Sequence, residues 1–259
     1  MRKCLIAAAI VAMAAALVIA SGRPSVWNSM RPATCLPGDC FCEAVRDQLV
    51  RQPVNALSGL SFVGVGLIAL FRRRRLYDQA PSGSRGTGLS DDMFAIAAVV
   101  LGAGTVFYHA SLTFLGQTLD VFGMYLLVTM MGLSILTRRR LQSGWMTLAL
   151  GIVINSLLLV LLIAAPVYRR IVFAGLVVVL IALEARVGRP SERGGRRVFW
   201  LAAAILAGGF VIWALDYTRV ACSPSSWLQG HAVWHLCGAW AVWLALRYYT
   251  GHEQQLTVT

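Results

Sequence analysis

The chain carries little charge for its length, and most of that charge has one sign. Charged residues make up 13% of the 259 residues, only 11 residues are acidic, and Lys3 is the only lysine. Hydrophobic residues reach 58%, whereas soluble globular domains average about 45–50%. The composition excludes an ordinary soluble domain, and no internal repeat or low-complexity segment is present.

Long apolar runs make up most of the chain. Each is close to the roughly 20 residues that span a bilayer, and they cover 5–21, 54–71, 93–113, 118–137, 144–165, 168–185, 198–215 and 229–248. The sequence therefore predicts an all-α, polytopic membrane protein with a bundle of seven transmembrane helices. We expect four parts: a signal peptide or additional membrane helix (1–21), an outer N-terminal segment (22–53), the seven-helix domain (54–250) and a cytoplasmic tail (251–259).

The first apolar run has two readings. Basic residues precede it and small residues end it before Ser21, which is typical of a cleaved signal peptide. The run could equally remain as an extra helix. Either reading places residues 22–53 outside.

The net charge of +12 invites a nucleic-acid interpretation, but its placement argues against one. Arginines cluster at 72–75, 138–140 and 186–197, directly beside spans that alternate in direction. The positive-inside rule assigns these loops to the cytoplasm. We therefore expect no nucleic-acid partner. The scarcity of lysine beside many arginines suggests a GC-rich genome and hence a bacterial inner membrane.

Three of the four histidines lie inside apolar segments, where ionisable side chains are costly and usually functional. His231 and His235 are one helical turn apart and share a face, and Asp120 follows His109 by eleven residues. The topology brings all four residues to the outer, periplasmic ends of their helices. Three imidazoles that leave an open coordination position, with a carboxylate nearby, are typical of a catalytic zinc site.

The cysteines fit the same topology. Cys35, Cys40 and Cys42 lie in the outer segment and Cys222 in the outer loop before the last helix, a compartment where thiols oxidise. We expect a disulfide between Cys42 and Cys222, with Cys35 and Cys40 as a candidate second pair. Connectivity is not encoded in the sequence, so other pairings and a metal site at Cys40 and Cys42 remain alternatives.

Three motifs together resemble a known family over about residues 38–250. They are CEAVRDQLVRQPVNALSGLSF at the first core helix, GAGTVFYHASLTFLGQTLD across the next two and HAVWH in the last. In order and spacing they resemble the alkaline ceramidases, part of a superfamily of seven-helix membrane hydrolases and adiponectin- or progestin-type receptors. The resemblance implies that His109, His231 and His235 hold Zn²⁺, that Asp120 bonds or orients the reacting water, and that Thr105 takes the family's serine position.

The resemblance also implies an outer Ca²⁺ site, and here the match is partial. Glu43 fits it, but Cys40 stands where an aspartate is expected, with Asp39 displaced by one position. Val45 and Gln52 occupy positions where oxygen ligands are expected. Calcium binding stays open.

The expected function is hydrolysis of the amide bond in ceramide-like N-acyl lipids, giving a free fatty acid and an amine base. Zinc supplies a reactive water at neutral pH, Asp120 transfers its proton to the leaving amine, and Thr105 donates a hydrogen bond to the developing oxyanion. The partner is then a membrane lipid substrate, while its exact structure and the oligomeric state stay open.

Two other classes remain. One is a non-enzymatic seven-helix lipid receptor with a structural zinc. A closed coordination shell around the zinc would favour this class. The other is a haem-binding electron carrier, in which His109 and one histidine of the last helix would be the axial ligands.

Overall fold

The computed structural model describes residues 24–38, 40–79, 89–138, 143–187 and 193–256. Seven α-helices lie in these ranges and confirm the predicted all-helical fold: α1 Pro53–Gln79, α2 Leu89–Ser111, α3 Phe114–Arg138, α4 Gly144–Ala164, α5 Arg169–Val187, α6 Arg193–Tyr217 and α7 Gly230–Leu256. Each overlaps one of the seven core segments expected from hydropathy. The expected segment 5–21 lies outside the described residues.

Six of these helices, α1 to α6, are long and apolar enough to cross a membrane. Helix α7 is equally long, but three histidines and three tryptophans lower its hydropathy. Large apolar side chains such as Trp145, Leu157 and Ile171 point outward and are exposed, as expected for faces that contact lipid. The chain is a multi-pass membrane protein.

Helices α1, α2 and α3 pack closely in sequence order, and α7 packs between α1 and α6. Helix α5 packs against α3, whereas α5 and α6 pack only sparsely against each other within the described residues. The main apolar core is built mostly from α1, α2, α3 and α7, and Leu180 of α5 and Phe199 of α6 also belong to it. A cavity lies where α5 and α6 face each other, and residues of α1, α2, α3 and α7 line it too.

Gly104 allows α2 and α3 to approach at the level of the candidate site. A Cβ atom at Gly104 would lie 2.8 Å from the backbone oxygen of Leu119 and 2.9 Å from the nitrogen of Asp120, closer than real Cβ contacts permit. Only glycine fits such close backbone contact. Glycine at this position therefore brings Asp120 against the neighbouring Thr105.

The connection from α2 to α3 is a tight turn through a buried residue with positive φ. Leu112 has φ 49°, which is uncommon outside glycine, and it is fully buried. The hydroxyl of Thr113 accepts the backbone N–H of Gly116 at 3.1 Å and so caps α3. The turn places the last residues of α2 and the first of α3, hence His109 and Asp120, at the same end of the bundle.

The outer N-terminal segment crosses this end of the bundle. Its backbone is paired there: the N–H of Ala33 donates to Leu112, that of Ala44 to Pro224, and that of Gln52 to His109, at 2.9, 3.0 and 3.0 Å. The carboxylate of Asp216, at the end of α6, accepts the N–H of Cys42 at 3.2 Å. Because its polar groups find partners, the segment can lie over the site as an ordered cover.

Two disulfides fasten this cover. Cys42 is bonded to Cys222 in the α6–α7 loop, and Cys35 is bonded to Cys40 within the segment. These are the two pairs expected from the sequence. Cys237 in α7 is the free cysteine among the described residues.

Removing the long-range disulfide should destabilise the protein. The Cys42–Cys222 bond closes a loop with a sequence separation of 180 residues, and a crosslink of this kind contributes about 2–4 kcal/mol. We expect Cys42→Ser/Cys222→Ser to unfold at a lower temperature in detergent, with Cys237→Ser as the matched control. Equal unfolding temperatures for both variants would contradict the prediction.

Candidate metal centre and lipid cavity

Three buried imidazoles from two helices converge at the covered end of the bundle. His109 comes from the last turn of α2, and His231 and His235 come from the first two turns of α7. Their candidate ligand atoms all lie within 4.8 Å of one another, and the Nε2 atoms of His109 and His231 are 3.1 Å apart. The structure therefore brings together the three histidines that the sequence singled out.

Hydrogen bonds on the far side of two rings determine which nitrogen faces inward. The side-chain N–H of Gln52 donates to the carbonyl of Glu43 at 2.9 Å, so its amide oxygen faces Nδ1 of His109, also at 2.9 Å. That nitrogen must then carry the hydrogen, which leaves Nε2 as a free ligand. Nδ1 of His235 pairs with the hydroxyl of Ser58 at 2.7 Å. Outer partners of this kind are typical of metal-binding histidines.

The geometry suits a single metal ion. Metal–nitrogen bonds of about 2.0–2.1 Å place tetrahedral ligand nitrogens roughly 3.3 Å apart, close to the 3.1 Å between His109 and His231. Axial ligands of one haem iron would have to stand about 4 Å apart, twice a metal–nitrogen bond. The haem alternative is therefore disfavoured, whereas a zinc-type site fits the residues present.

Phe41 covers the third imidazole. The ring of Phe41 stacks on His231 with centroids 3.7 Å apart and lies 5.3 Å from the ring of His109. Nδ1 of His231 has no hydrogen-bond partner among the described atoms. Stacking on Phe41 therefore orients the ring of His231, whereas hydrogen bonds orient the rings of His109 and His235. Phe41 lies between Cys40 and Cys42, each of which forms a disulfide.

The carboxylate of the site lies beside the hydroxyl expected from the sequence. Thr105 and Asp120 are buried, and the Thr105 hydroxyl is 2.5 Å from Oδ1 of Asp120 and 2.9 Å from the carbonyl oxygen of Leu101. A hydroxyl has one hydrogen, so Thr105 donates to an ionised Asp120. When Asp120 is protonated, its O–H can donate to Thr105 while Thr105 donates to Leu101. The pair can therefore hold a proton or release it without losing its contact.

This hydrogen bonding changes the expectation for Thr105. The sequence predicted a donor to an oxyanion, but its single hydrogen is already used by Asp120 or Leu101. The geometry favours a role in orienting Asp120.

A long apolar cavity begins at these groups. It measures about 1550 Å³ including its open mouth, and Thr105, Asp120, His231 and His235 line one end. From there it continues between α5 and α6 to Ala245. At 1.5 Å per residue the distance along α7 from His231 to Ala245 is about 21 Å. The cavity has the shape and lining for a long hydrocarbon chain with its polar end at the histidines.

The expected calcium ligands have other partners. Both carboxylate oxygens of Glu43 accept backbone N–H groups of Val54 and Asn55, each at 2.8 Å, and thereby cap α1. Burial raises the pKa of Glu43, and these two hydrogen bonds oppose the rise. The amide oxygen of Gln52 faces His109, and Asp39 lies outside the described residues. Calcium binding at this position remains a prediction.

Sequence reasoning did not assign Phe41, Gln52 and Ser58 to the site. The only signal was the Asn-x-x-Ser pattern of the first motif, which contains Ser58 but does not indicate which ring it would contact.

The chain is thus a multi-pass helical membrane protein in which a buried three-histidine group that could hold a metal ion stands at the head of an apolar cavity, an arrangement suited to handling a lipid. Comparison with family profiles matches residues 41–257 to the family described as Ceramidase. The match covers most of the chain, which therefore belongs to the ceramidase family, and membership indicates a ceramide-hydrolysing membrane enzyme. No curated protein matches the chain closely enough to name a relative.

The three histidines should bind about one zinc ion per chain. We expect His231→Ala/His235→Ala to lose this zinc, because two of the three nitrogens that converge within 4.8 Å are removed. Metal analysis of purified protein measures it, and His252→Ala, which changes the fourth histidine, is the control. Wild-type zinc content in a folded double variant would contradict the assignment.

Gln52 should tune the affinity for that metal. Gln52→Leu removes the acceptor for the Nδ1 hydrogen of His109, and losing such an outer partner typically weakens metal binding about 10–100-fold. Gln52→Glu keeps an acceptor and should bind zinc more tightly than the Leu variant. Competition with a chelator measures both, with the exposed Gln48→Leu as control. Equal affinity of the Leu and Glu variants would show that this hydrogen bond does not matter.

Proposed function

We propose that the protein is a zinc-dependent membrane hydrolase that cleaves the amide bond of ceramide-like N-acyl lipids, releasing a free fatty acid and an amine base. One observation supports it above the others. His231, His235 and Asp120 line the same end of a long apolar cavity, in a chain of the ceramidase family.

The metal would be held by Nε2 of His109, His231 and His235. Zinc in such a site activates water at neutral pH and polarises a carbonyl. The protein's contribution is to fix the three imidazoles from behind, through Gln52 and Ser58.

Asp120 is the group placed to move a proton. Among the described residues its hydrogen-bond partner is Thr105, through Oδ1, and the residue lines the cavity. As a general base it takes a proton from the attacking water, and as a general acid it returns one to the leaving amine nitrogen. Thr105 keeps the carboxylate in position in both protonation states.

The cavity supports an amphiphilic substrate. Side chains of α5 and α6 such as Phe173, Leu180, Phe199 and Leu206 provide apolar walls for an acyl chain. Because α5 and α6 pack only sparsely against each other, a lipid can enter from the bilayer between them. We place the site at the outer, periplasmic side of a bacterial inner membrane, since the arginine clusters flank the opposite ends of the helices.

Asp120→Asn should abolish hydrolysis and leave zinc bound. The carboxylate lies outside the imidazole group, and proton transfer by such a residue typically supplies about 10²–10⁴-fold in rate. The measurements are fatty-acid release from N-acyl sphingoid lipids by purified protein and its zinc content, with the exposed Asp47→Asn as control.

Two outcomes would contradict this account. A wild-type rate in Asp120→Asn would rule out the carboxylate as base. A zinc-loaded wild-type protein that binds such lipids but hydrolyses no N-acyl lipid would favour the receptor.

A further inference from the structure

Gln117 stands between the outer N-terminal segment and the lipid cavity. It belongs to the first turn of α3, within the second sequence motif, and is only 2% exposed. It lines the cavity together with Asp120. Residues three apart on a helix share a face, and α3 begins at the covered end of the bundle. Gln117 therefore lies about one turn from Asp120, on the side of the cover.

Two hydrogen bonds determine how the amide group of Gln117 is oriented. The backbone N–H and the hydroxyl of Thr34 both donate to Oε1 of Gln117, at 2.8 and 2.9 Å. A backbone N–H can only donate, so the amide atom that faces Thr34 must be the oxygen. These two bonds use both acceptor positions of that oxygen. The side chain has only its NH₂ donors left to offer.

These donors have no acceptor among the described residues, where the bonds from Thr34 are the side-chain hydrogen bonds of Gln117. A buried donor without an acceptor costs free energy, and buried polar groups in native proteins are usually paired. Holding the cover requires the amide oxygen alone and does not account for the NH₂ group. Because Gln117 is buried and lines the cavity, an acceptor can approach from the cavity.

We propose that the NH₂ group of Gln117 donates a hydrogen bond to the terminal hydroxyl oxygen on the amine half of the lipid substrate. The inference rests on the proposed function and narrows it to N-acyl amino alcohols, with Gln117 as a specificity-determining residue. Three residues along α3 correspond to about 4.5 Å. A hydroxyl oxygen two carbons from the scissile nitrogen can span that offset while the amide stays beside Asp120 and the histidines.

The shape of the cavity favours the amine half over the acyl half as the partner of Gln117. From the histidines the apolar walls continue between α5 and α6 to Ala245, and they suit hydrocarbon chains. Gln117 lies on the other side of the reactive groups, against the cover. A hydroxyl buried among apolar walls without a partner would be costly. The polar end of the amine half is therefore better placed at Gln117.

The test compares N-palmitoylsphinganine with its 1-deoxy analogue, which lacks only the terminal hydroxyl. Full-length, zinc-loaded protein in phosphatidylcholine nanodiscs should give a kcat/KM about 5–100-fold higher for the hydroxylated lipid, the range expected when a buried donor loses its acceptor. Gln117→Met removes the NH₂ group at similar side-chain size and should bring this ratio close to one. Gln117→Asn keeps a polar amide but withdraws it by one methylene, so it should lower the ratio even if the Met variant does not fold.

Thr118→Val is the matched control. Thr118 is the next residue of α3, its hydroxyl donates to the carbonyl of Phe114 at 2.8 Å, and it is not part of the cavity wall. The control should keep the wild-type ratio.

Three results would overturn the proposal. One is an unchanged ratio in folded Gln117 variants. Another is an equal fall in kcat/KM for both lipids, because the donor would then serve a group that both contain, such as the amide carbonyl. The third is a Gln117-dependent loss with the 3-deoxy analogue in place of the 1-deoxy analogue, which would assign the donor to the other hydroxyl.

A binding measurement separates this inference from the proposed function. Trp213 and Trp234 line the cavity, so tryptophan fluorescence can report the affinity for each lipid in an Asp120→Asn background, with and without Gln117→Met. A Gln117-dependent preference for the hydroxylated lipid supports the inference even if wild type cleaves neither lipid. Cleavage of both lipids by wild type without such a preference would overturn the inference and leave the hydrolase intact. Binding of neither lipid would overturn the inference as well.

Discussion

Three imidazoles buried among apolar helices need partners for their ring nitrogens, and much of the structure depends on meeting that constraint. Polar groups buried without hydrogen bonds cost free energy. His109 and His235 meet it through Gln52 and Ser58, and the inward nitrogens would meet it by holding a metal ion. His231 is the exception, because its Nδ1 has no such partner. Its orientation depends on the ring of Phe41, so a residue of the outer segment belongs functionally to the helix bundle.

The outer N-terminal segment therefore helps to hold the geometry of the site. It supplies Phe41, and its Glu43 caps α1 at Val54 and Asn55, a short distance before Ser58. The Cys42–Cys222 bond ties the same stretch to the loop that leads into α7. A shift of this segment would disturb the stacking on His231 and the start of α1 together. The cover and the three-histidine group are therefore linked, because the same short stretch contacts both His231 and the start of α1.

The sequence predicted the parts of this unit that follow from periodicity and hydropathy. The seven helices and the meeting of His109, His231 and His235 at one end follow from span length, helix direction and the i, i+4 spacing, and the structure agrees with each. The contacts of Gln52 and Phe41 could not be predicted, because they lie in a segment without helical periodicity whose path is decided by long-range hydrogen bonds. The hydrogen bonding of Thr105 could not be predicted either. Its one hydroxyl hydrogen is used by Asp120 or Leu101, and only the structure shows these contacts.

A lipid hydrolase needs a rigid reactive site and also a cavity that can admit a long chain. The three histidines that could hold a metal ion come from α2 and α7, and both helices pack closely against neighbours in the bundle, as ligands on rigid elements require. The cavity that would take a long lipid chain is lined by α5 and α6, which pack sparsely against each other although α6 packs closely against α7. Helix α3 joins the two regions, since it carries Asp120 and packs against both α2 and α5. Helix α5 itself contacts both parts of the site: it packs against α3, which carries Asp120, and its Phe173 lies edge-on to Trp234 of α7, next to His235, with ring centroids 6.4 Å apart.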